Sequence, residues 1–222
     1  MTQRIALITG ASRGIGKAIS ERYKKEGWRV LIPTRDELDL LNLQSIEFYF
    51  SKIQALNVLI NNAGINPIAH IDQVNNSEID EVVQTNLVAP LLTMKFAFPL
   101  MKRTDGVHRV VNISSIWAAL SKPGRVVYSM TKSGITGLTR TAAIEWAKEG
   151  ILVNSVAPGF TDTELTRRNN NPEQISQIES VIPVGRMADP SEIAELVYFL
   201  ASEHNTYITG QTILIDGGYS CI

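Results

Sequence analysis

Short apolar runs alternate with longer amphipathic segments from one end of the chain to the other. The runs Ile5–Thr9, Arg29–Ile32, Val58–Asn61, Arg109–Ile113, Leu152–Ala157 and Thr212–Ile215 predict strands. The segments Gly14–Glu26, Leu43–Leu56, Ser77–Lys102, Tyr128–Glu149, Pro172–Ile178 and Ser191–Ser202 predict helices. The runs Ile5-Ala6-Leu7-Ile8 and Val58-Leu59-Ile60 are apolar at every position. A strand with one wet face would alternate, so these predict burial on both faces. Strand–helix alternation of this kind implies an α/β fold, a doubly wound parallel sheet covered on both sides. No repeat and no Pro/Gly/Ser-rich linker divides the chain, which reads as one unit over 1–222.

Two stretches depart from the rhythm. After the second strand come Pro33-Thr34-Arg35-Asp36-Glu37 and then Leu38-Asp39-Leu40. A parallel crossover takes about ten or more residues, and five cannot hold its helix. Leu38–Leu40 is therefore either a stub or not a parallel strand of the usual kind. The polar stretch from Thr161, with Arg167-Arg168-Asn169-Asn170-Asn171 inside it, reads as a mobile flap over about 161–186.

Composition narrows the function classes. The 222 residues suit one domain, and 44% apolar with 19% charged residues is globular. A net charge of −1 lacks the basic footprint of a nucleic-acid binder and any polybasic membrane signal. The longest apolar stretch, Leu87–Met101, contains Pro90, Lys95 and Pro99 and is too short to span a bilayer. The first strand begins almost at once, leaving no room for a secretory leader, so a cytoplasmic location is expected. Cys221 is the only thiol, and His70, His108 and His204 share no ligand spacing, so no metal site is expected.

Thr9-Gly10-Ala11-Ser12-Arg13-Gly14-Ile15-Gly16 links the first strand to the first helix. Glycines permit a tight turn and let backbone approach a pyrophosphate, which then meets the N–H groups and positive end of the helix. Gly10, Ser12, Arg13, Gly14, Ile15 and Gly16 are thus the candidate phosphate cradle of a Rossmann-type dinucleotide site. An acid at the end of the second strand would bind a ribose 2′-OH, whereas a base would take a 2′-phosphate. Arg35 and Arg13 together favour NADP(H) over NAD(H), with Asp36 as the counter-argument.

Tyr128 and Lys132 lie four apart at the start of a predicted helix, on one face. A nearby ammonium favours the phenolate and lowers the tyrosine pKa from about 10. Tyr128 can then give or take a proton at a carbonyl/alcohol centre. Asn112-Ile113-Ser114-Ser115 ends a predicted strand, where ligands of open α/β sheets bind. Ser115 is the candidate to polarise a carbonyl. Ser114 competes with it, but alternation puts the two side chains on opposite sides.

With these motifs in order, the chain resembles the short-chain dehydrogenase/reductase family, most of all its 3-oxoacyl-[acyl-carrier-protein] reductase-like members. The resemblance rests on Thr9–Gly16, Asn61–Gly64, Thr85-Asn86, Asn112–Ser115, Tyr128–Lys132, Asn154–Thr163 and Thr209–Gly218, covering essentially the whole chain. It implies an Asn86-Ser115-Tyr128-Lys132 tetrad. In it Asn86 supports a proton relay, Ser115 orients the carbonyl, Tyr128 is the acid/base, and Lys132 lowers the phenol pKa and binds the nicotinamide ribose. It further implies cofactor contacts from Asn61, Ala63, Gly64, Asp39 and Leu40 on the adenosine side, and from Pro158, Gly159, Thr161 and Thr163 on the nicotinamide side. The usual helix between the second strand and the Leu38–Leu40 stretch looks deleted here, around Thr34–Leu38, which reshapes the adenine end. A homotetramer is implied too, in keeping with apolar residues on several faces of Ser77–Lys102 and Tyr128–Glu149. The expected reaction is NADP-dependent reduction of a carbonyl, small or acyl-carrier-bound, to a secondary alcohol. Glu145, Lys148 and Glu149 make a mixed rim where carrier docking would want a basic one. A sugar, steroid, quinone or small ketone is the competing substrate, and a non-catalytic NADP-binding sensor or scaffold the competing function.

Overall fold

A computed structural model describes residues 3–221; Met1, Thr2 and Ile222 of the expected unit lie outside the described residues. Six parallel strands form one sheet: β1 (Ile5–Ile8), β2 (Arg29–Leu31), β3 (Val58–Asn61), β4 (His108–Ile113), β5 (Ile151–Pro158) and β6 (Thr212–Ile215). Their spatial order is β2-β1-β3-β4-β5-β6. Register runs Leu7 opposite Leu31 and Leu59, Ile60 opposite Val111, and Val111 opposite Asn154.

Side chains alternate between two cores. Ala6, Ile8, Val58, Ile60, Val111 and Val156 face α1 (Gly14–Lys25) and α8 (Pro190–Ala201), meeting Ile19, Tyr23, Val197 and Leu200. Leu7, Leu59, Val110 and Val153 face the opposite layer. That layer is α2 (Leu43–Ser51), α3 (Asn76–Val83), α4 (Ala89–Met101) and α5 (Val126–Trp146). Its core includes Ile46, Phe50, Met94, Ala97, Met101 and Ala142. Two-sided burial is why the strand sequences carry no polar alternation. α4 and α5 spend most of their apolar residues on this core: Leu92, Leu138 and Trp146 pack against it, and Leu91, Met130 and Ile144 remain exposed.

Leu38–Leu40 forms no strand. Leu38 N–H donates to Thr34 O at 3.0 Å, and the Glu37 carboxylate accepts from Thr34 N at 2.8 Å. The segment is a capped turn that drops Leu38 into the second core, so β2 is the sheet edge. The single helix expected over Ser77–Lys102 is α3, a π-turn at Gln84–Val88, and α4. The polar flap is not a plain loop either. It holds α6 (Glu164–Asn169), capped by the Thr163 hydroxyl, and α7 (Pro172–Ser180), capped by Asn171 and Gln174 in a reciprocal box.

Candidate functional site

Chain order reverses between β1 and β3, so the loops leaving their carboxyl ends diverge and open a crevice. The two loops are stapled at its base. The Thr9 hydroxyl accepts from Asn62 N and Ala63 N, each at 3.1 Å. Asn62 Nδ2 donates to Thr9 O at 3.0 Å and Gly10 O at 2.9 Å. Gly10 has φ +65°, and a Cβ there would lie 2.8 Å from Ala63 Cα. A Cβ at Gly16 would lie 2.4 Å from both Asn62 Nδ2 and Gly10 O. Glycine is required at Gly10 by both its left-handed backbone and the close contact, and at Gly16 by contact alone.

The start of α1 is built to receive an anion. Arg13 is its N-cap and supplies no side-chain acceptor, and the first turn holds no acidic residue. The first amides therefore keep their donors for a ligand. Thr163, at the start of α6, closes the other side: a Cβ at Gly14 would meet its Cγ2 at 3.4 Å. Gly159 crosses so close to Asp216 that a Cβ would lie 2.7 Å from its Cα. Thr161 is buried, its hydroxyl donating to Gly159 O at 3.2 Å. The crevice thus brings Gly10–Gly16, Ala63, Gly64, Pro158, Gly159, Thr161 and Thr163 to one end of the sheet.

The adenine end is organised differently from expectation. Arg35 faces Asp39 at 4.0 Å, not Asp36, in an exposed pair. Asp39 also accepts from Leu41 N at 3.0 Å, and Leu40 O accepts from Gln84 Nε2 at 3.1 Å. Ser12, Arg13 and Asp36 are exposed. Asn61, expected beside the ribose, turns its side chain into the protein. Its Nδ2 donates to Asn112 Oδ1 at 2.9 Å and its Oδ1 accepts from Thr93 Oγ1 at 2.7 Å. Asn112 continues that network to Thr139 at 3.0 Å. Asn62, which the motif reading passed over, is the one that ties the crevice.

The second half of the crevice gathers Asn86, Ser115, Tyr128 and Lys132. Ser114 donates to Lys132 O at 3.0 Å and is used up in seating α5, which leaves Ser115 on the open side. Ser115 Oγ accepts from Trp117 N at 3.2 Å, fixing its direction. Lys132 is buried, with Nζ donating to Ile113 O at 2.8 Å and lying 5.5 Å from the centre of the Tyr128 ring. Asn86 sits in the π-turn. Its Oδ1 accepts from Ile65 N at 2.9 Å and its Nδ2 donates to Ile65 O at 2.8 Å. The extra residue of a π-turn rotates one side chain out of the helical row, which aims Asn86 at the β3 loop. Gly64 lies between: a Cβ there would stand 3.3 Å from Asn86 Oδ1 and 3.5 Å from Lys132 Nζ.

The electrostatics correct one expectation. Burial raises the Tyr128 pKa above its ordinary value, against opposing effects of the Ser115 hydroxyl and the Arg125 charge. Burial also pushes Lys132 down to about 8. Spacing alone suggested a phenol pulled down by the lysine; burial instead outweighs the lowering effects of Ser115 and Arg125, and Tyr128 is a protonated donor at neutral pH. Beyond Ser115 stands an aromatic wall. Trp117, Phe160 and Tyr219 meet edge to face at centroid distances of 6.0, 6.2 and 5.3 Å. Tyr219 comes from the far end of the chain, so local sequence gave no sign of it. Among the described residues no acid/histidine/cysteine group is arranged to hold a metal, and no helix is long and apolar enough to cross a membrane.

A parallel sheet with a glycine cradle at its switch point and a Ser-Tyr-Lys cluster beside it defines a Rossmann-type, dinucleotide-dependent class of enzyme. Comparison with known proteins agrees. A family model described as short chain dehydrogenase matches residues 4–45, and one described as Enoyl-(Acyl carrier protein) reductase matches 43–220. The 3-oxoacyl-[acyl-carrier-protein] reductase of Vibrio harveyi is 35% identical, covering 97% of this chain and 96% of the relative. That of Escherichia coli is 34% identical with the same coverage. The aldohexose dehydrogenase of Thermoplasma acidophilum superimposes with a TM-score of 0.94 at 31% identity, over 99% of this chain and 95% of the other. A tyrosine-to-phenylalanine variant of ElxO, solved with NADPH bound, gives 0.92 at 29% identity over the full length of both chains. The chain belongs to the short-chain dehydrogenase/reductase family and is an oxidoreductase. The alignments to the two reductases run over 239 and 238 positions, more than the chain's 222 residues, so these relatives carry residues absent here.

Proposed function

We propose that the protein is an NADP-dependent reductase converting a carbonyl to a secondary alcohol. The observation that carries the reading is the Tyr128 phenol set beside the Ser115 hydroxyl and the buried Lys132 cation, with Lys132 close to Gly64 on the loop stapled to the glycine cradle. The uncapped first turn of α1 fits a pyrophosphate, and Arg13 and Arg35 suit a 2′-phosphate. The cradle from Gly10 to Gly16, with Ala63, Gly64 and Thr163, would hold the dinucleotide. Tyr128, Lys132, Pro158, Gly159 and Thr161 would face its nicotinamide half. NADPH, when bound, supplies the hydride.

The chain's own residues handle the oxygen and the proton. Ser115 Oγ orients the carbonyl oxygen, and the Tyr128 hydroxyl donates its proton to that oxygen as negative charge develops. Lys132 stands behind and offsets the charge left on the phenolate. Asn86 holds the Ile65 backbone, and with it Gly64, against Lys132. A phenol held protonated by burial suits the reductive direction.

The names of the bacterial relatives support a 3-oxoacyl thioester as substrate, and the likeness to an aldohexose dehydrogenase supports a small polar one. Family membership, together with exposed Leu91, Met130, Ile144 and Leu214, supports a homotetramer, and a cytoplasmic location is part of the same reading. The test is Tyr128→Phe. It should bind NADPH with wild-type affinity by fluorescence titration while ketone reduction falls by about a thousandfold. Unimpaired reduction in this variant overturns the mechanism. Reduction absent from the wild type, with biological activity intact in the variant, makes the protein a cofactor-binding scaffold instead.

A further inference from the structure

Two cations stand on the substrate side of Tyr128 with no acid to answer them. Lys122 and Arg125 lie in the turn that leads into α5. Among the described residues neither forms an ion pair, whereas Arg22, Arg167 and Arg186 all do. Lys122 Nζ lies 5.3 Å from the Trp117 ring centre and 5.8 Å from that of Phe160. Arg125 Nε is buried and has no hydrogen-bond partner. A buried guanidinium nitrogen without an acceptor is costly, so an acceptor brought by a ligand would be favoured at this position.

The turn is firmly held. Ala69 N donates to Gly124 O at 3.3 Å, Ala69 bridges to Arg125, and Ser133 Oγ donates to Ala118 O at 3.0 Å. Arg125 precedes Tyr128 by three residues, and its charge is felt by the phenol, which keeps it within electrostatic reach of the reacting centre. The aromatic wall starts at Ser115 through the Trp117 N–H and ends under Lys122. From Ser115 outward the surface therefore offers a carbonyl-orienting hydroxyl, an apolar wall and, at its exposed rim, two cations without an ion-pair partner among the described residues.

We propose that the substrate is a small keto acid. Its ketone lies at Ser115 and Tyr128, its carbon skeleton on Trp117, Phe160 and Tyr219, and its carboxylate on Arg125 and Lys122. The forked guanidinium matches a planar carboxylate, and the ammonium adds a second charge-assisted bond. The ketone gains one hydride and one proton and becomes a hydroxy acid; the carboxylate is unchanged. This rests on the reductase reading but narrows it. A 3-oxoacyl thioester has no charge near its ketone, and its nearest anion is a phosphate at the far end of a long arm.

The experiment pairs 2-, 3-, 4- and 5-keto acids with their methyl esters and adds a 3-oxoacyl N-acetylcysteamine thioester, all with NADPH. At least one acid should exceed its ester in kcat/KM by about tenfold or more, chiefly through KM. Arg125→Gln and Lys122→Gln should each pull that acid-to-ester ratio toward one, and Arg125→Lys should restore part of it. Quenching of tryptophan fluorescence by the preferred acid, with oxidised cofactor present, should weaken in parallel. Acids no better than esters, a thioester better than every acid, or a ratio unmoved by the substitutions overturns the inference and leaves the reductase standing. Failure to reduce any compound in the set, with NADPH still bound, overturns the keto-acid inference, and the reductase reading falls with it only when aldoses, quinones and steroid ketones are not reduced either.

Discussion

Replacing Lys132 with methionine removes a buried ammonium and keeps most of its length. The lysine is 4% exposed, and its only hydrogen-bond acceptor among the described residues is Ile113 O, at 2.8 Å. Burial lowers its pKa from 10.5 to about 8, which corresponds to about 3 kcal/mol against the charged form. The unfolded chain holds this proton until the pH nears 10.5, whereas the folded chain gives it up near 8. Between those values the unfolded state binds more protons, so the wild type gains stability as the pH rises. Below 8 both states are charged and the penalty is present in full. Lys132→Met has no such dependence; it loses only the bond to Ile113 O, a term that does not change with pH. Urea melts of both proteins at equal concentration should therefore show the wild type gaining about 2 kcal/mol on the variant between pH 7 and pH 10. The methionine protein should also be inactive while folding normally, a trade of activity against stability that buried catalytic charges produce. A difference in unfolding free energy that stays constant across this range would refute the assignment of Lys132 as a desolvated cation.

The same lysine shapes the pH profile: kcat/KM for ketone reduction should fall as pH rises through about 8, because the phenol then loses the cation behind it while remaining protonated itself. A profile level to pH 10 contradicts this. Gly16→Ala should weaken NADPH binding by about tenfold or more, since the new Cβ meets Asn62 Nδ2 and Gly10 O at 2.4 Å; Gly137→Ala on α5, with nothing within 4 Å, is the control that should leave affinity unchanged. Asn86→Ala strands the Ile65 N–H and C=O and should cost about 2 kcal/mol in a urea melt while lowering kcat.

Much of this architecture is legible in the primary structure, for physical reasons. Every expected strand is found within a residue or so, and in the inner strands β1 and β3 burial on both faces writes an unmistakable apolar run. The glycine cradle is equally plain, since Gly10 and Gly16 are dictated by atoms within 3 Å. What escapes is information that local periodicity does not carry. The π-turn at Gln84–Val88 inserts a single residue into an otherwise helical row, and its side chains still look helical. Leu38-Asp39-Leu40 has the alternation of a strand but not the length, and a capped turn wins. Phe160 and Tyr219 gain meaning only when distant segments meet around Trp117. The direction of the phenol pKa is hidden for the same reason: spacing reveals the lysine but not the burial that raises the phenol.

The shortened adenine side and the reacting side are carried by separate elements, and this bears on what the deletion does. The segment after β2 ends in a turn held by Thr34, Glu37 and Leu38, and its charged residues pair across the surface at 4.0 Å. Such an exposed pair is worth little, so Arg35 can leave Asp39 for a phosphate at small cost. The Ser115-Tyr128-Lys132 cluster hangs instead on β4 and α5, locked by Ser114 to Lys132 O and by Asn112 to Thr139. No hydrogen bond or ion pair of Ser115, Tyr128 or Lys132 among the described residues reaches the 33–42 segment. On the proposed reading, a helix missing around Thr34–Leu38 should therefore act on cofactor affinity and on the choice between phosphorylated and unphosphorylated ribose, which parallel titrations with NADPH and NADH would read. It leaves the geometry at the carbonyl to the half of the sheet that the deletion does not touch.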